Sequence, residues 1–135
     1  MYLQMQQTMQ DKNLFEYAVI RVVPRVEREE FINAGVILYC AKRKFLECSY
    51  ILDADKIRLF CKELDLEQLQ MNLEAFARIC AGGRDAGAIG QLDMASRFRW
   101  LTATRSTVVQ CSRVHPGFCD DPGEALARLK QMLVL

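Results

Sequence analysis

The side chains best able to do chemistry crowd into residues 97–117, RFRWLTATRSTVVQCSRVHPG. This stretch holds the only Trp (Trp100), the only His (His115) and four Arg (Arg97, Arg99, Arg105, Arg113), with no acidic residue among them. A guanidinium is permanently charged and presents its N–H groups as a planar fork, which suits phosphate or carboxylate oxygens. Trp100, flanked by Arg97 and Arg99, offers a flat surface on which a base could stack or a guanidinium could lie. The segment reads as an anion site: Arg97, Arg99 and Arg105 clamp, Ser106, Thr107 and Gln110 donate, and Trp100 supplies a plane. His115, with an ordinary pKa of about 6.5, is the one side chain here suited to acid/base work near neutrality.

Competing readings use the same residues. Residues 84–119 carry a net charge of +3 and residues 53–74 one of −3, so a structural ion-pair network between them, or plain solvated surface, accounts for the arginines equally well. The spacing Cys111-x3-His115-x3-Cys119 would align three ligands on a helix. Pro116 and the β-branched residues before His115 oppose a helix there, and zinc needs a fourth ligand. No metal and no cofactor are expected. A Cys/His dyad can form in space, but neither Cys111 nor Cys119 lies in a nucleophile motif. The glycine-rich run GGRDAGAIGQL (82–92) lacks the Gly-Lys-Ser/Thr of a P-loop and the G-x-G-x-x-G of a dinucleotide site. Its GAIG core resembles the GXXG loop of KH domains only in the glycines, and the run reads as a helix stop that could cover the arginine segment.

Bulk properties narrow the classes. A chain of 135 residues with 51% hydrophobic and 26% charged residues has the profile of an ordinary globular domain. We expect one domain over residues 13–135 behind a flexible tail at residues 1–12. A net charge of +1 gives no global field to recruit nucleic acid or an acidic membrane. The N-terminus lacks the pattern of a signal peptide, and the longest apolar run, residues 34–41, is far short of the ~20 residues that span a bilayer. A cytoplasmic location is therefore expected, with the six Cys as reduced thiols.

The elements that must position these residues follow from periodicity. Residues 15–24 (FEYAVIRVVP) are apolar on both parities, which predicts a strand covered on both faces and ended by Pro24. The charged RVEREE turn leads to a second strand, 31–40, whose Gly35 marks a bulge or a close backbone approach. Asn33 beside it is expected to hold such a bulge by local hydrogen bonds. AKRK turns into a third strand, 45–52, with Leu46, Cys48, Tyr50 and Leu52 on one face. A short helix from Asp53 or Asp55 carries the stripe Ile57, Phe60, Cys61, Leu64. Asp65 caps a second helix with Leu69, Leu73, Phe76, Ala77 and Cys80 inward, stopped by Gly82-Gly83. Asp93 caps a third with Met94, Phe98 and Leu101 inward, placing Arg97 and Trp100 together off that stripe. Residues 107–114 form a last strand, and Asp121-Pro122-Gly123-Glu124 starts a terminal helix with Leu126, Leu129 and Leu133 inward. The pattern predicts an α+β fold: a small antiparallel sheet of about four strands, with three to four helices packed mainly on one face.

Several of these pieces also carry a family likeness. FEYAVIRVVPRVEREEFINAGVILYC, IGQL followed by RFRWLTATRSTVVQ, VHPGFCDDP and the closing helix together resemble bacterial domain-of-unknown-function family 3037. Arg97, Phe98, Trp100, Leu101, Arg105, Ser106, Thr107, Gln110, His115 and Gly117 match the family's pattern, while Ala34, Cys111 and Pro116 depart from it. The resemblance implies a small stand-alone cytosolic bacterial protein of uncharacterised activity, encoded beside a HipA-like kinase and so either its protein partner or a toxin-like module, and it brings no catalytic residue with it.

Three functions follow. The first is a non-enzymatic accessory or binding protein that holds the anionic group of a phosphate-bearing ligand, nucleotide or nucleic acid. The second is a small enzyme on a phosphorylated or nucleotide substrate, with His115 as acid/base. The third is a structural subunit. Convergence of Arg97, Arg105 and His115 on one pocket is what the first two require.

Overall fold

Apolar residues of both parities in the first two strands demand a sheet covered on both faces, and that arrangement forms. The computed structural model describes residues 12–105 and 107–135, so Ser106 and all of the expected tail except Lys12 lie outside the described residues. In chain order the elements are β1 (Asn13–Val22), a 3-10 turn (Val26–Arg28), β2 (Ile32–Cys40), β3 (Phe45–Tyr50), α1 (Ala54–Phe60) and α2 (Leu66–Ala81). A second 3-10 turn (Arg84–Ala86), α3 (Gly87–Gly90), α4 (Met94–Thr102), β4 (Val109–Cys111), β5 (His115–Cys119) and α5 (Pro122–Leu133) complete it. The expected α+β class holds, with an antiparallel sheet of order β3-β2-β1-β4 in which β5 also pairs with β1.

Four aspartates set where the longer helices begin, each accepting from a backbone N–H of the first turn. Asp53 takes Lys56 N at 3.1 Å, Asp65 takes Gln68 N at 3.0 Å, and Asp93 takes Ser96 N at 2.7 Å. Asp121 takes Gly123 N at 2.9 Å, with Pro122 in the first helical position. Each such cap stabilises its helix by about 1 kcal/mol. The inward stripes follow, with Leu69, Leu73, Phe76 and Cys80 on α2 and Phe98 and Leu101 on α4 all buried. They pack with Ala18, Ile20, Val22, Ile37 and Leu46 as one core cluster. On the other face α5 lays Ala125, Leu126 and Leu129 against Phe15, Val36, Leu38 and Cys40. The stripe expected from Asp53 holds except at one position: Ile57 and Cys61 are buried and Leu64 packs partly buried on the core, while Phe60 is exposed and the helix ends there.

Two irregularities decide which way side chains face. Between β1 and β2 the register slips at Ile20/Arg21, leaving Ala34 as the extra residue. Ile32 and Ala34 therefore join the first cluster, whereas Val36 and Leu38 join the second. Gly35 sits at this step, where a Cβ would stand 2.6 Å from Ser49 O and from Tyr50 Cβ, so both predicted roles of this glycine apply. Asn33 does not hold the bulge locally: its Nδ2 donates to Leu133 O at 3.0 Å and ties β2 to the end of α5.

The second irregularity corrects the last strand. Instead of one strand over 107–114, a short β4 pairs Cys111 with Ile20, and a separate β5 pairs His115 with Tyr17. Three residues on one side thus face two on the other. Ser112 bridges the gap: its N–H donates to Val19 O at 2.8 Å, and its hydroxyl oxygen accepts from Val19 N–H at 2.8 Å. Pro116 and Gly117 argue against a strand in isolation, but an outer strand tolerates a proline. The Phe15 ring fills the space a Cβ at Gly117 would occupy, 2.5 Å from its nearest atom. No helix among the described residues is long and apolar enough to cross a membrane.

Candidate functional site

The last turn of α4 and the start of β4 stand apart from α2, and a cleft of about 320 Å³ opens between them. Its α2 wall is Asn72, Ala75, Phe76 and Ile79, spaced i, i+3, i+4, i+7 beside the buried stripe. Trp100 and Leu101 form the opposite wall, Ala103, Arg105 and Thr107 the connection, and Val109, Gln110 and Cys111 the floor. This volume is at the small end of the range for ligand clefts.

Side chains close the C-terminal turn of α4, where the last carbonyls lack helical partners. Thr102 Oγ1 donates to Phe98 O at 2.8 Å, and the Cys111 thiol donates to Leu101 O at 3.5 Å. Arg105 Nη2 donates to Trp100 O, and the guanidinium carbon lies 3.9 Å from the centroid of the Trp100 ring. The guanidinium is thus held over the indole, and Trp100 O is its one hydrogen-bond partner among the described residues. Thr107 Oγ1 donates to Val109 O and Gln110 Nε2 to Thr107 O, each at 2.7 Å, which stiffens the approach to β4. Burial pushes the Cys111 thiol up to about 12 despite the nearby positive charges of Arg105 and Arg21, so it is a neutral thiol near neutral pH.

The predicted residues that the structure describes divide between four places. Trp100, Arg105, Thr107 and Gln110 line the cleft. Arg97 turns the other way along α4: its Nη1 donates to Leu92 O at 3.0 Å, and its guanidinium covers Gly82, whose φ of +78° ends α2. The cation on Trp100 is therefore Arg105, and the expected pairing of Arg97 with Trp100 does not form. Arg99 is exposed and does not line the cleft. His115 lies with Tyr17, ring centroids 5.4 Å apart, and Tyr17 packs on the α5 side of the sheet. The slip at Ser112 puts it there: in unbroken register His115 would oppose Glu16 and share the face of Cys111. Arg97, Arg105 and His115 consequently do not converge.

The ion-pair network expected as an alternative is also missing from this segment. Among the described residues the salt bridges are Arg25–Glu63 and Arg28–Glu30, and neither involves an arginine of residues 97–117. The glycine-rich run does not cover the cleft. It folds on itself through Gly83 N donating to Gly90 O at 2.8 Å, and none of its residues lines the cavity. No group of three or more His, Cys, Asp or Glu among the described residues is arranged to hold a metal ion. Sequence reading missed the α2 wall, whose signal was a second helical stripe, Asn72 to Ile79, flanking the core stripe.

Comparison with known proteins gives one result. The model of a family described as a protein of unknown function, domain-of-unknown-function family 3037, matches residues 17–134. No curated protein and no solved structure matches the chain.

Proposed function

We infer that this chain, which belongs to domain-of-unknown-function family 3037, is a non-enzymatic binding protein for a small ligand with a flat apolar body and one anionic head. The observation that carries this reading is the make-up of the cleft. Among the described residues Arg105 is the single charged side chain that lines it, with no His, Asp, Glu or Lys beside it. Acid/base chemistry needs a titrating group within hydrogen-bond reach of the substrate, and the one titratable side chain here, the Cys111 thiol, stays protonated. Binding needs less: an apolar wall from Phe76, Ile79 and Val109, a π-face from Trp100, and a fixed guanidinium beside it. The anion site of the first hypothesis contracts to Trp100, Arg105, Thr107 and Gln110. The enzyme with His115 as acid/base loses its support, because His115 stands on the opposite face of the sheet.

Trp100, as the sole Trp, reports directly on the cleft. Phenyl phosphate is expected to change its emission saturably, while benzyl alcohol and inorganic phosphate bind more weakly, each lacking half of the recognised group. The variant Arg105→Gln keeps an N–H donor for Trp100 O but removes the charge. A charge-assisted hydrogen bond contributes about 1.5–3 kcal/mol, so phenyl phosphate should bind roughly 10- to 150-fold more weakly to this variant. Equal affinity of the two proteins, or no saturable response from the native chain, overturns the reading.

A further inference from the structure

The walls of the cleft carry hydrogen-bonding groups that an apolar ring leaves unused. Asn72 stands exposed on the α2 wall, and Gln110 is half-buried on the floor. Each amide is already held at one end. Asn72 Oδ1 accepts from Gln68 Nε2 at 3.0 Å, one helical turn earlier, which leaves its amide N–H groups to donate. Gln110 Nε2 donates to Thr107 O at 2.7 Å, which leaves its Oε1 to accept. Building on the binding role inferred above, we propose that the ligand is a free nucleoside monophosphate, its phosphate on Arg105 and its base edge on Asn72 and Gln110.

Edge chemistry and charge select this class. Side-chain amides pair with the edges of nucleobases, which present donors and acceptors around a flat ring. A hydrocarbon ring offers neither, so it would strip water from both amides and return no hydrogen bond. Thr107 Oγ1 commits its hydrogen to Val109 O, so its oxygen too can only accept, and a sugar hydroxyl supplies the matching donor. Among the described residues Arg105 is the single charged side chain lining the cleft, enough to balance one phosphate group and no more. A nucleoside diphosphate or triphosphate would find no second cation there. The same count separates a free nucleotide from a strand. Sites for single-stranded nucleic acid follow the backbone with a positively charged groove, whereas this cleft holds one guanidinium in about 320 Å³.

Isothermal titration calorimetry on the full chain compares the monophosphates of adenosine, guanosine, cytidine and uridine with phenyl phosphate and ribose-5-phosphate. Phenyl phosphate lacks the base edge, and ribose-5-phosphate lacks the ring. A net hydrogen bond changes affinity about fivefold, so the best nucleotide should bind about 25-fold more tightly than phenyl phosphate. In Asn72→Ala and in Gln110→Ala the ratio of nucleotide to phenyl phosphate affinity should fall about fivefold. Saturable binding of phenyl phosphate with no nucleotide tighter overturns this proposal and leaves the binding role standing. No binding of any probe overturns both. A nucleotide advantage that both variants retain overturns the contact of the base edge with these amides. Tighter binding of a short single-stranded oligonucleotide than of its monophosphate overturns the free nucleotide as the ligand. Should circular dichroism show that a variant has unfolded, the native-chain comparison decides by itself.

Discussion

Replacing Ser112 by alanine should cost more than a surface serine ordinarily would. Its hydroxyl oxygen is the acceptor for Val19 N–H at 2.8 Å, and both residues are buried, Ser112 at 5% and Val19 at 7% exposure. The same hydroxyl donates to Arg113 O at 2.9 Å, a bond water can replace because Arg113 is exposed. The cost is therefore dominated by one buried N–H left without a partner, about 2 kcal/mol. A chain of 135 residues has an unfolding entropy near 0.28 kcal/mol/K, taking about 2.1 cal/mol/K per residue, so Tm should fall by roughly 7 °C. Differential scanning calorimetry measures the shift, and amide hydrogen exchange at Val19 reports the local event. Ser112→Thr, which keeps the hydroxyl, should recover most of both. A Tm drop under about 2 °C with the Val19 amide still protected would refute the claim that this hydroxyl holds the slipped register.

Two further perturbations probe packing and ionisation. In Gly117→Ala a Cβ would meet the Phe15 ring at 2.5 Å, so overpacking should destabilise the chain by about 1–3 kcal/mol. Adding Phe15→Leu should make that glycine change cheaper, a coupling that a double-mutant cycle by urea denaturation measures. The half-buried Cys111 thiol has its pKa raised from 9.0 to about 12, so the unfolded chain ionises first as pH rises. Its contribution to stability is fully present below about 9 and is lost as pH climbs through about 12. Cys111→Val should flatten that part of the stability–pH curve, and an unchanged slope would show that other groups produce it.

Local features were the legible ones. Each aspartate cap needs only its own next three residues, and Leu69, Leu73, Phe76 and Cys80 repeat with the helical period, so the starts and inward faces of the longer helices follow from short windows of sequence. Gly35 was readable for the same reason: a glycine inside an apolar strand implies a close neighbour, here Tyr50. What stayed hidden depends on partners distant in sequence. The slip at Ser112 exists only against Val19, and it turns His115 away from the cleft. β5 was hidden because Pro116 and Gly117 are poor strand residues until an outer position and the Phe15 ring accommodate them. Within the arginine segment, spacing alone favoured Arg97 as the neighbour of Trp100, because both ride on α4. The loop after the helix instead brings Arg105 back onto the ring, a reversal that helical periodicity does not describe.

The broken strand beside β1 also bears on how the molecule meets its own copies. Growth of a sheet by adding a strand from another chain needs a straight row of free N–H and C=O groups. On the β4/β5 side that row is interrupted at residues 112–114, and Pro116 has no N–H to offer. On the other side β3 presents six residues in continuous register with β2. Among the described residues the two margins of the sheet thus differ: β3 offers an unbroken row of backbone groups, while the β4/β5 margin would stop a strand added beside it.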